Sequence, residues 1–478
     1  MLTYKAGRGM DEGVSEMSEE SWNLARLIPT SGISGAEEQE RRATSALLAV
    51  MSAVPDFHRA LLKPLGAPSG KLETYIEVPF DLAGKRCYPD GLIRASRGGR
   101  SWVALVEVKT GKNELAAEQL ENYLDIAREQ GYDALITISN EIPPAAGMHP
   151  TKVDKRKQRK VALHHWSWSQ LLSMAVIQKE HRGVRDPEQA WILGELIRYL
   201  EHPRSGALEL DDMGASWVPV RQAVTTGTLR ATDRAAPEVA ARFDALLRYA
   251  SLRLGRRLGI DVSHVLTRAE QADPSVRSQS LLVEMVERGT MSGAVHIPDA
   301  VSHIHITADL RAGQVVCHVD VDAPRQGRPL TRVNWLVRQL KAAPDSVRVE
   351  AFVANNRGAG ATELLGRVRA EPSVLVLDPT KEIRRFRIAM TVPMGTKRGR
   401  GRGAFIDSVL ELLDGFYAEV VQTLKAWSAT PPKLRDAPGL EDVEPETISS
   451  TALSSQDGPE LETNGDPAAE AEVKTSLG

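Results

Sequence analysis

The chain has 478 residues, of which 42% are hydrophobic and 26% are charged, so it is long enough for about three domains with several apolar cores. Its two cysteines, Cys87 and Cys317, exclude a disulfide framework and a cysteine-based zinc site, as is typical of a reducing cytosol. No apolar run approaches the roughly 20 residues that cross a membrane, and segment 1–22 is polar and acidic, so we expect a cytoplasmic protein without a signal peptide or membrane contact.

The net charge of −3 is unevenly distributed along the chain. Residues 429–478 carry eleven acidic and three basic side chains, a charge of −8, so the remaining residues carry +5. This segment is also rich in Pro, Ser and Thr and has almost no aromatic residues. We therefore predict a disordered acidic tail over 429–478. Residues 1–30 are assigned to an N-terminal extension that precedes the first domain.

Residues 31–180 alternate between helical and strand patterns. A first helix is predicted from the capping-box pattern Ser34–Glu37 and from apolar side chains at helical spacing between Ala43 and Val54. The later predicted elements are strands at 74–80, around Pro89-Asp90, at 102–109 and at 134–138, a helix over 114–130 that stops at Gly131, and a further strand at 161–166.

Charged side chains stand at the ends of two of these strands. The segment 91–100 is predicted to be a strand followed by a Gly-Gly hairpin turn, which would bring Asp90 beside Glu107. Glu107 and Lys109 are two residues apart, so they share one face of their strand. Two carboxylates and a lysine suit the cutting of phosphodiesters, because hard oxygen ligands hold Mg²⁺ and a lysine stabilises developing charge. The alternative is an ordinary hairpin with charges at its solvated end.

The order helix, strand, strand, strand, helix, strand, with Pro89-Asp90 and Glu107-Val108-Lys109 on successive strands, resembles the PD-(D/E)XK nuclease superfamily. The resemblance covers about residues 30 to 175 and implies a restriction-endonuclease-like α/β core, with a mixed central sheet flanked by helices. It implies hydrolysis of phosphodiester bonds with Mg²⁺, for which Mn²⁺ can substitute. It assigns Asp90, Glu107 and the backbone carbonyl of Val108 to the metal, and Lys109 to charge stabilisation or orientation of the attacking water.

Two further positions match an accessory pattern of the RecB-like nucleases and resolvases. Gln119 and Tyr123 fit the Gln-x-x-x-Tyr motif of the second helix, where positions four apart share a face. These branches also place a glutamate on the first helix, for which Glu40 is the first candidate and Glu37 the second. The alternative for Gln119 and Tyr123 is a solvated helix face with one aromatic side chain packed on the sheet.

A basic run lies between the last two predicted strands of this segment. It is a candidate nucleic-acid contact, because Lys and Arg contacts to phosphates supply most non-specific affinity. Its basic residues are Lys152, Lys155, Arg156, Lys157, Arg159 and Lys160. A solvated loop is the alternative interpretation, and it applies equally to a second run at 397–402, which lacks interleaved aromatic residues.

The remaining chain is predicted to contain a mostly helical region over 186–292 and an α+β domain over 293–428, which we assign to no family. Together with the nuclease domain over 31–180, this organisation favours a metal-dependent DNA endonuclease that acts in restriction, antiviral defence or DNA repair. The alternatives are an RNase, or a nuclease fold that has lost cleavage and serves as a DNA-binding or scaffold subunit. The expected partner is nucleic acid, with DNA favoured over RNA. A second copy of the chain or another subunit of a defence system is a further candidate partner.

Overall fold

The secondary structure follows the sequence pattern closely in the first half of the chain. The computed structural model describes residues 36–76, 78–143, 147–354 and 360–428. All elements given below belong to the compact unit that ends at Trp427. The predicted N-terminal extension, the capping residue Ser34 and the predicted acidic tail lie outside the described residues.

The α-helices of the described residues, in chain order, are α1 (Ala36–Ala53), α2 (Pro55–Leu62), α3 (Ala117–Gln130), α4 (Trp168–Val176), α5 (Pro187–Glu201), α6 (Trp217–Thr225), α7 (Ala236–Leu258), α8 (Arg268–Ala272), α9 (Pro274–Glu287), α10 (Pro329–Gln339), α11 (Leu365–Ala370) and α12 (Phe405–Glu419). Helix α3 begins three residues later than predicted, because Ala116 is still extended. It ends as predicted at Gly131, whose φ of 69° is the left-handed conformation that glycine adopts readily.

The strands are β1 (Lys71–Ile76), β2 (Phe80–Leu82), β3 (Lys85–Cys87), β4 (Gly91–Arg97), β5 (Arg100–Val108), β6 (Ala134–Ser139), β7 (Ala162–Ser167), β8 (Ser263–Val265), β9 (Thr290–His296), β10 (Ile304–Asp309), β11 (Gln314–Asp322), β12 (Arg348–Val353), β13 (Ala361–Leu364) and β14 (Ile383–Pro393). They form a five-stranded sheet, a seven-stranded sheet and a separate β2–β3 ribbon.

The first sheet is mixed and has the order β1-β4-β5-β6-β7. Strands β1, β4 and β5 are antiparallel, and β4 joins β5 through the predicted hairpin at Gly98 and Gly99, which both have positive φ as a tight two-residue turn requires. Strands β5, β6 and β7 are parallel, and α3 provides the crossover between β5 and β6. The chain is therefore mixed α/β, as expected.

Alternation along β5 divides the apolar side chains between the two faces of the first sheet. Val106 and Val108 belong to a core that also contains side chains of α1, α4 and α5. Leu105 faces the other way, into a smaller core with Leu120 and Leu124 of α3. Glu107 has the same parity as Leu105, so its side chain lies on the α3 side, as the strand pattern predicts.

The second sheet is antiparallel throughout and has the order β13-β12-β14-β11-β10-β9-β8. Its core includes side chains of α6, α7, α9, α10 and α12. Strand β8 lies within the segment 186–292, which is predicted to be mostly helical, and β9 begins at the end of that segment. Gly293 interrupts the alternation of buried and exposed residues in β9, and β8 has only three residues, so neither strand gives a clear pattern.

No helix among the described residues is both long enough and apolar enough to cross a membrane. Cys87 and Cys317 are both free thiols, and Cys317 is buried in the core of the second sheet.

Candidate active site

The start of β4 and the end of β5 bring Asp90 and Glu107 together. Gly91 pairs with Val106, so the antiparallel register makes the next residue on each strand, Asp90 and Glu107, neighbours. An oxygen of Asp90 accepts a hydrogen bond from the backbone N–H of Val108 at 2.8 Å, which fixes the carboxyl group against the end of β5. A Cβ at Gly91 would lie 2.6 Å from the terminal Cδ1 of Leu48 on α1, so a larger residue here would require the Leu48 side chain to move.

Glu107 is almost fully buried, with 1% of its surface exposed. Its Oε1 accepts a hydrogen bond from Lys109 at 2.7 Å, while its buried Oε2 has no hydrogen-bond partner among the described residues. A buried carboxylate oxygen without a partner carries a desolvation cost of about 1–3 kcal/mol or more. Such an oxygen is a natural position for a bound cation or proton.

Lys109 lies between two carboxylates that come from different elements. Its ammonium is 2.7 Å from Glu107 and 3.3 Å from Glu40 of α1. The other oxygen of Glu40 accepts a hydrogen bond from the side-chain amide of Asn113. The predicted glutamate of the first helix therefore reaches the site, where it contacts the lysine.

The backbone of Lys109 is held as firmly as its side chain. Its N–H donates to the carbonyl of Ile138 on β6 at 2.7 Å, and its carbonyl accepts from the indole N–H of Trp168 at 2.9 Å. Trp168 is the first residue of α4, and Ser167 caps this helix by accepting from the backbone N–H of Gln170. The parallel strands and the start of α4 thus fix the direction in which the Lys109 side chain leaves β5.

Burial raises the pKa values of both carboxyl groups, and repulsion from Asp90 raises that of Glu107 further. Burial raises the pKa of Asp90 above its ordinary value. Burial, and then repulsion from Asp90, raises the pKa of Glu107 to about 8. The Asp90–Glu107 pair therefore retains a proton at neutral pH when no cation is bound.

Lys109 shows the opposite balance. Burial alone would lower its pKa, but the carboxylates of Glu107 and Glu40 outweigh burial and raise the pKa above the ordinary value of lysine. Lys109 is consequently a permanent positive charge next to the two carboxyl groups.

Gln119 and Tyr123 meet on α3, as their spacing predicts. The Gln119 amide donates to the Tyr123 hydroxyl at 3.1 Å, and that hydroxyl donates to the backbone carbonyl of Tyr88 at 3.2 Å. Tyr123 is buried, and burial followed by the nearby charge of Glu107 raises its pKa. The two side chains therefore hold the segment that leads into Asp90, and they make no hydrogen bond to Asp90 or Glu107 themselves.

The oxygen atoms of the site fit a small divalent cation with few protein ligands. Within the described parts of the chain, no three His, Cys, Asp or Glu side chains are arranged to hold a metal ion. Lys109 accounts for this, because its ammonium occupies the space between Glu40 and Glu107. Asp90 and the unpartnered oxygen of Glu107 remain, and Mg²⁺ is usually held by one or two carboxylates with water and phosphate oxygens as its other ligands.

The basic run forms a surface loop with a short 3-10 turn at Lys157–Arg159. Lys152, Lys155, Arg156, Arg159 and Lys160 are exposed. Lys157 differs from them, because its ammonium is 2.7 Å from Asp125 and 3.7 Å from Glu121, both on α3. In the second run, Arg398 pairs with Asp212, and Arg400 pairs with Glu209 and Asp407, so much of its charge is already neutralised.

Three residues that sequence reasoning missed complete the candidate active site. They are Tyr88, whose carbonyl binds Tyr123, Asn113, which binds Glu40, and Trp168, which binds the carbonyl of Lys109. Asn113 and Tyr88 lie in irregular segments, where no periodicity indicates which way a side chain or carbonyl points. The position of Trp168 could have been predicted from the sequence. Ser167 precedes an apolar run, which predicts the start of a helix at the edge of the sheet where the parallel strands end.

Comparisons of the chain with protein-family models, with curated proteins and with solved structures gave no match.

Proposed function

We propose that this chain is a metal-dependent nuclease that hydrolyses phosphodiester bonds, most readily those of DNA, in restriction, defence or repair. The observation that carries the proposal is the Asp90–Glu107–Lys109 arrangement, in which two buried carboxyl groups with raised pKa values lie beside a fixed ammonium. The resemblance to PD-(D/E)XK nucleases supports it, because that superfamily uses these residue types at the ends of adjacent strands. Buried titratable groups with perturbed pKa values are also typical of active sites in general.

Each residue has a separate role in the proposed reaction. Asp90 and Glu107, with the backbone carbonyl of Val108, would hold Mg²⁺ or Mn²⁺, which when bound supplies Lewis-acid polarisation of the phosphoryl group and a more acidic water. Lys109 stabilises the negative charge that develops on the phosphoryl oxygens. Glu40 is a positioning residue, since it contacts Lys109 and not the carboxyl pair.

Gln119 and Tyr123 are also positioning residues in this proposal. They hold the carbonyl of Tyr88, two residues before Asp90, and so limit the movement of the Asp90 carboxyl group. Catalysis needs such support, because a small displacement of a reacting group lowers the rate strongly.

Cleavage assays with purified protein test the proposal directly. Plasmid DNA, single-stranded DNA and RNA are incubated with Mg²⁺, Mn²⁺ or EDTA, and Asp90→Asn serves as the variant because asparagine retains an acceptor for the Val108 N–H. We expect the wild type to cut with either metal and not with EDTA, and Asp90→Asn to bind the same substrate without cutting it.

Other outcomes of this assay select between the alternatives. Cutting of RNA alone would make the protein an RNase. Binding without cutting in either metal would favour the DNA-binding or scaffold subunit. Cutting that persists in EDTA or in Asp90→Asn would show that the candidate active site is not where the reaction takes place.

The exposed part of the basic run is expected to contribute to nucleic-acid affinity. Replacing Arg156 and Lys160 together by glutamine should weaken DNA binding and reduce the slope of log K against log salt by about 2, since each lost phosphate contact removes about 0.9. The matched control is Lys157→Gln, whose ammonium already pairs with Asp125. Fluorescence anisotropy with labelled duplex across a salt series measures both quantities. Equal slopes for the double variant and the wild type would remove this loop from the interface.

A further inference from the structure

A second site is indicated by a large cavity outside the candidate active site. The cavity has a volume of about 790 Å³ and is lined by residues of α2, β7, α4, α7 and the segment around β8. Cavities of about 300–1,000 Å³ are the usual size of small-molecule sites. The candidate active-site residues Asp90, Glu107 and Lys109 are not among those that line it.

Arg248 of α7 brings a largely desolvated positive charge to this cavity. Its guanidinium donates to the backbone carbonyl of Pro143 at 2.7 Å, and no carboxylate of the described residues forms an ion pair with it. Burial lowers the pKa of Arg248 to about 10, which reflects the cost of keeping this charge away from water. A guanidinium has five N–H donors in a fixed planar fork, so most of its capacity remains available to a ligand.

His264, at β8, is a second unsatisfied group in the wall of the cavity. Its side chain is 2% exposed, and neither ring nitrogen has a hydrogen-bond partner among the described residues. The nearest carboxylate oxygen, of Asp244, is 3.9 Å away and is engaged by Arg277. Burial, and then the charge of Arg277, lowers the pKa of His264 to about 3, so its ring is neutral and offers one donor and one acceptor.

His165, which also lines the cavity, differs from His264 because both of its ring nitrogens have hydrogen-bond partners. One of its ring nitrogens bonds Thr137 at 2.9 Å, and the other bonds the carbonyl of Glu141 at 2.9 Å. His264 has no such partners, and because both of its ring nitrogens are inaccessible to solvent, it shapes the wall without bonding a ligand in the cavity.

The rest of the lining defines what kind of ligand would fit. Arg182, the last residue of the π-helical segment Ile177–Arg182 that follows α4, is exposed at the cavity and adds a second positive charge. Asp261 is the single carboxylate among the described lining residues. Much of the remaining wall is apolar. It includes Leu61, Leu65, Met174, Ile177, Ile260 and Leu266.

We propose that this cavity binds a small organic anion of nucleotide size, with its anionic group on Arg248 and Arg182 and its apolar or aromatic part against the apolar wall. The site does not depend on the proposed nuclease activity, because it shares none of the candidate catalytic residues.

Binding is measured on the full chain by isothermal titration calorimetry in EDTA, without nucleic acid, so that the result is independent of cleavage. The probes are ATP, AMP and the aromatic anion 8-anilino-1-naphthalenesulfonate, with adenosine as the neutral counterpart. We expect at least one anionic probe to bind with a stoichiometry of one and more tightly than adenosine. Arg248→Gln should weaken that binding at least about 10-fold, as loss of a charge-assisted hydrogen bond does.

Arg257→Gln is the matched control, since Arg257 lies on the same helix, does not line the cavity and pairs with Asp414. If Arg248→Gln does not fold, Arg182→Gln replaces it, because Arg182 is exposed and its charge can be removed without a buried gap. The proposal is overturned if no anionic probe binds with a stoichiometry of one, or if the Arg248 and Arg182 variants that fold bind as tightly as the wild type.

Discussion

Replacement of Lys109 by glutamine is expected to lower the rate of phosphodiester cleavage about 100- to 1,000-fold, the usual cost of losing one donor that stabilises transition-state charge. Glutamine retains an N–H donor for Glu107, so the carboxyl group keeps a partner while the positive charge is removed. The rate is measured as plasmid nicking at saturating Mg²⁺, with thermal unfolding of the same sample as the check on folding.

Lys112→Gln is the control for this experiment, because Lys112 is an exposed lysine three residues further along the same loop. It should cleave at the wild-type rate. A wild-type rate for Lys109→Gln would remove Lys109 from the reaction. Equal losses in both variants would instead indicate that the loop conformation, and not the charge of Lys109, limits cleavage.

The large effect expected of Lys109 follows from how completely the fold fixes it. Its backbone is bound by β6 and by Trp168 of α4, and its ammonium is bound by Glu107 and by Glu40 of α1. A charge held in place before the reaction begins needs no reorganisation as negative charge develops. Residues of four elements, α1, β5, β6 and α4, therefore hold the backbone and the side chain of Lys109 in place.

Strand alternation and turn chemistry were enough to predict the centre of this site. The Gly-Gly turn sets the register of β4 and β5, and the register places Asp90 beside Glu107. The two-residue spacing then puts Glu107 on the face away from Val106 and Val108, which lie in the apolar core. These are local rules, since each depends on a few neighbouring residues.

The contacts that refine the site could not be predicted in the same way. Glu40 was expected near the carboxylates, but only the packing of α1 against the sheet shows that it contacts Lys109 instead. Asn113 binds Glu40 from an irregular loop whose conformation no periodic pattern specifies. The cavity is even harder to predict from the sequence. Its wall combines Leu61 of α2 with Arg248 of α7, more than a hundred residues away, and with His264 of β8. Contacts between such distant segments result from tertiary packing, and no local sequence pattern predicts them.

Glu107 is expected to make the stability of the metal-free protein depend on pH. We expect the free energy of unfolding of the metal-free wild type to fall as the pH rises from about 5 to about 9, and that of Glu107→Gln to fall much less. The folded-state pKa of about 8 is above the ordinary value of 4.5, so the stabilisation is complete below about 4.5 and is lost as the pH rises through about 8. Each pKa unit corresponds to about 1.4 kcal/mol, and attraction to Lys109 offsets part of the total, so we expect the two proteins to diverge by about 1–3 kcal/mol.

Urea unfolding in EDTA at both ends of this pH range measures the difference, and Glu114→Gln, which alters a glutamate outside the site, is the control. Mg²⁺ sharpens the test, because a carboxyl group must lose its proton before it can bind a metal. Added Mg²⁺ should therefore stabilise the wild type more at pH 9 than at pH 6, and should leave Glu107→Gln nearly unchanged at both. If the wild type and the variant instead show the same pH profile, Glu107 is ionised throughout, and its role is to hold Lys109. In that case Asp90 would be the carboxylate on which metal binding chiefly depends.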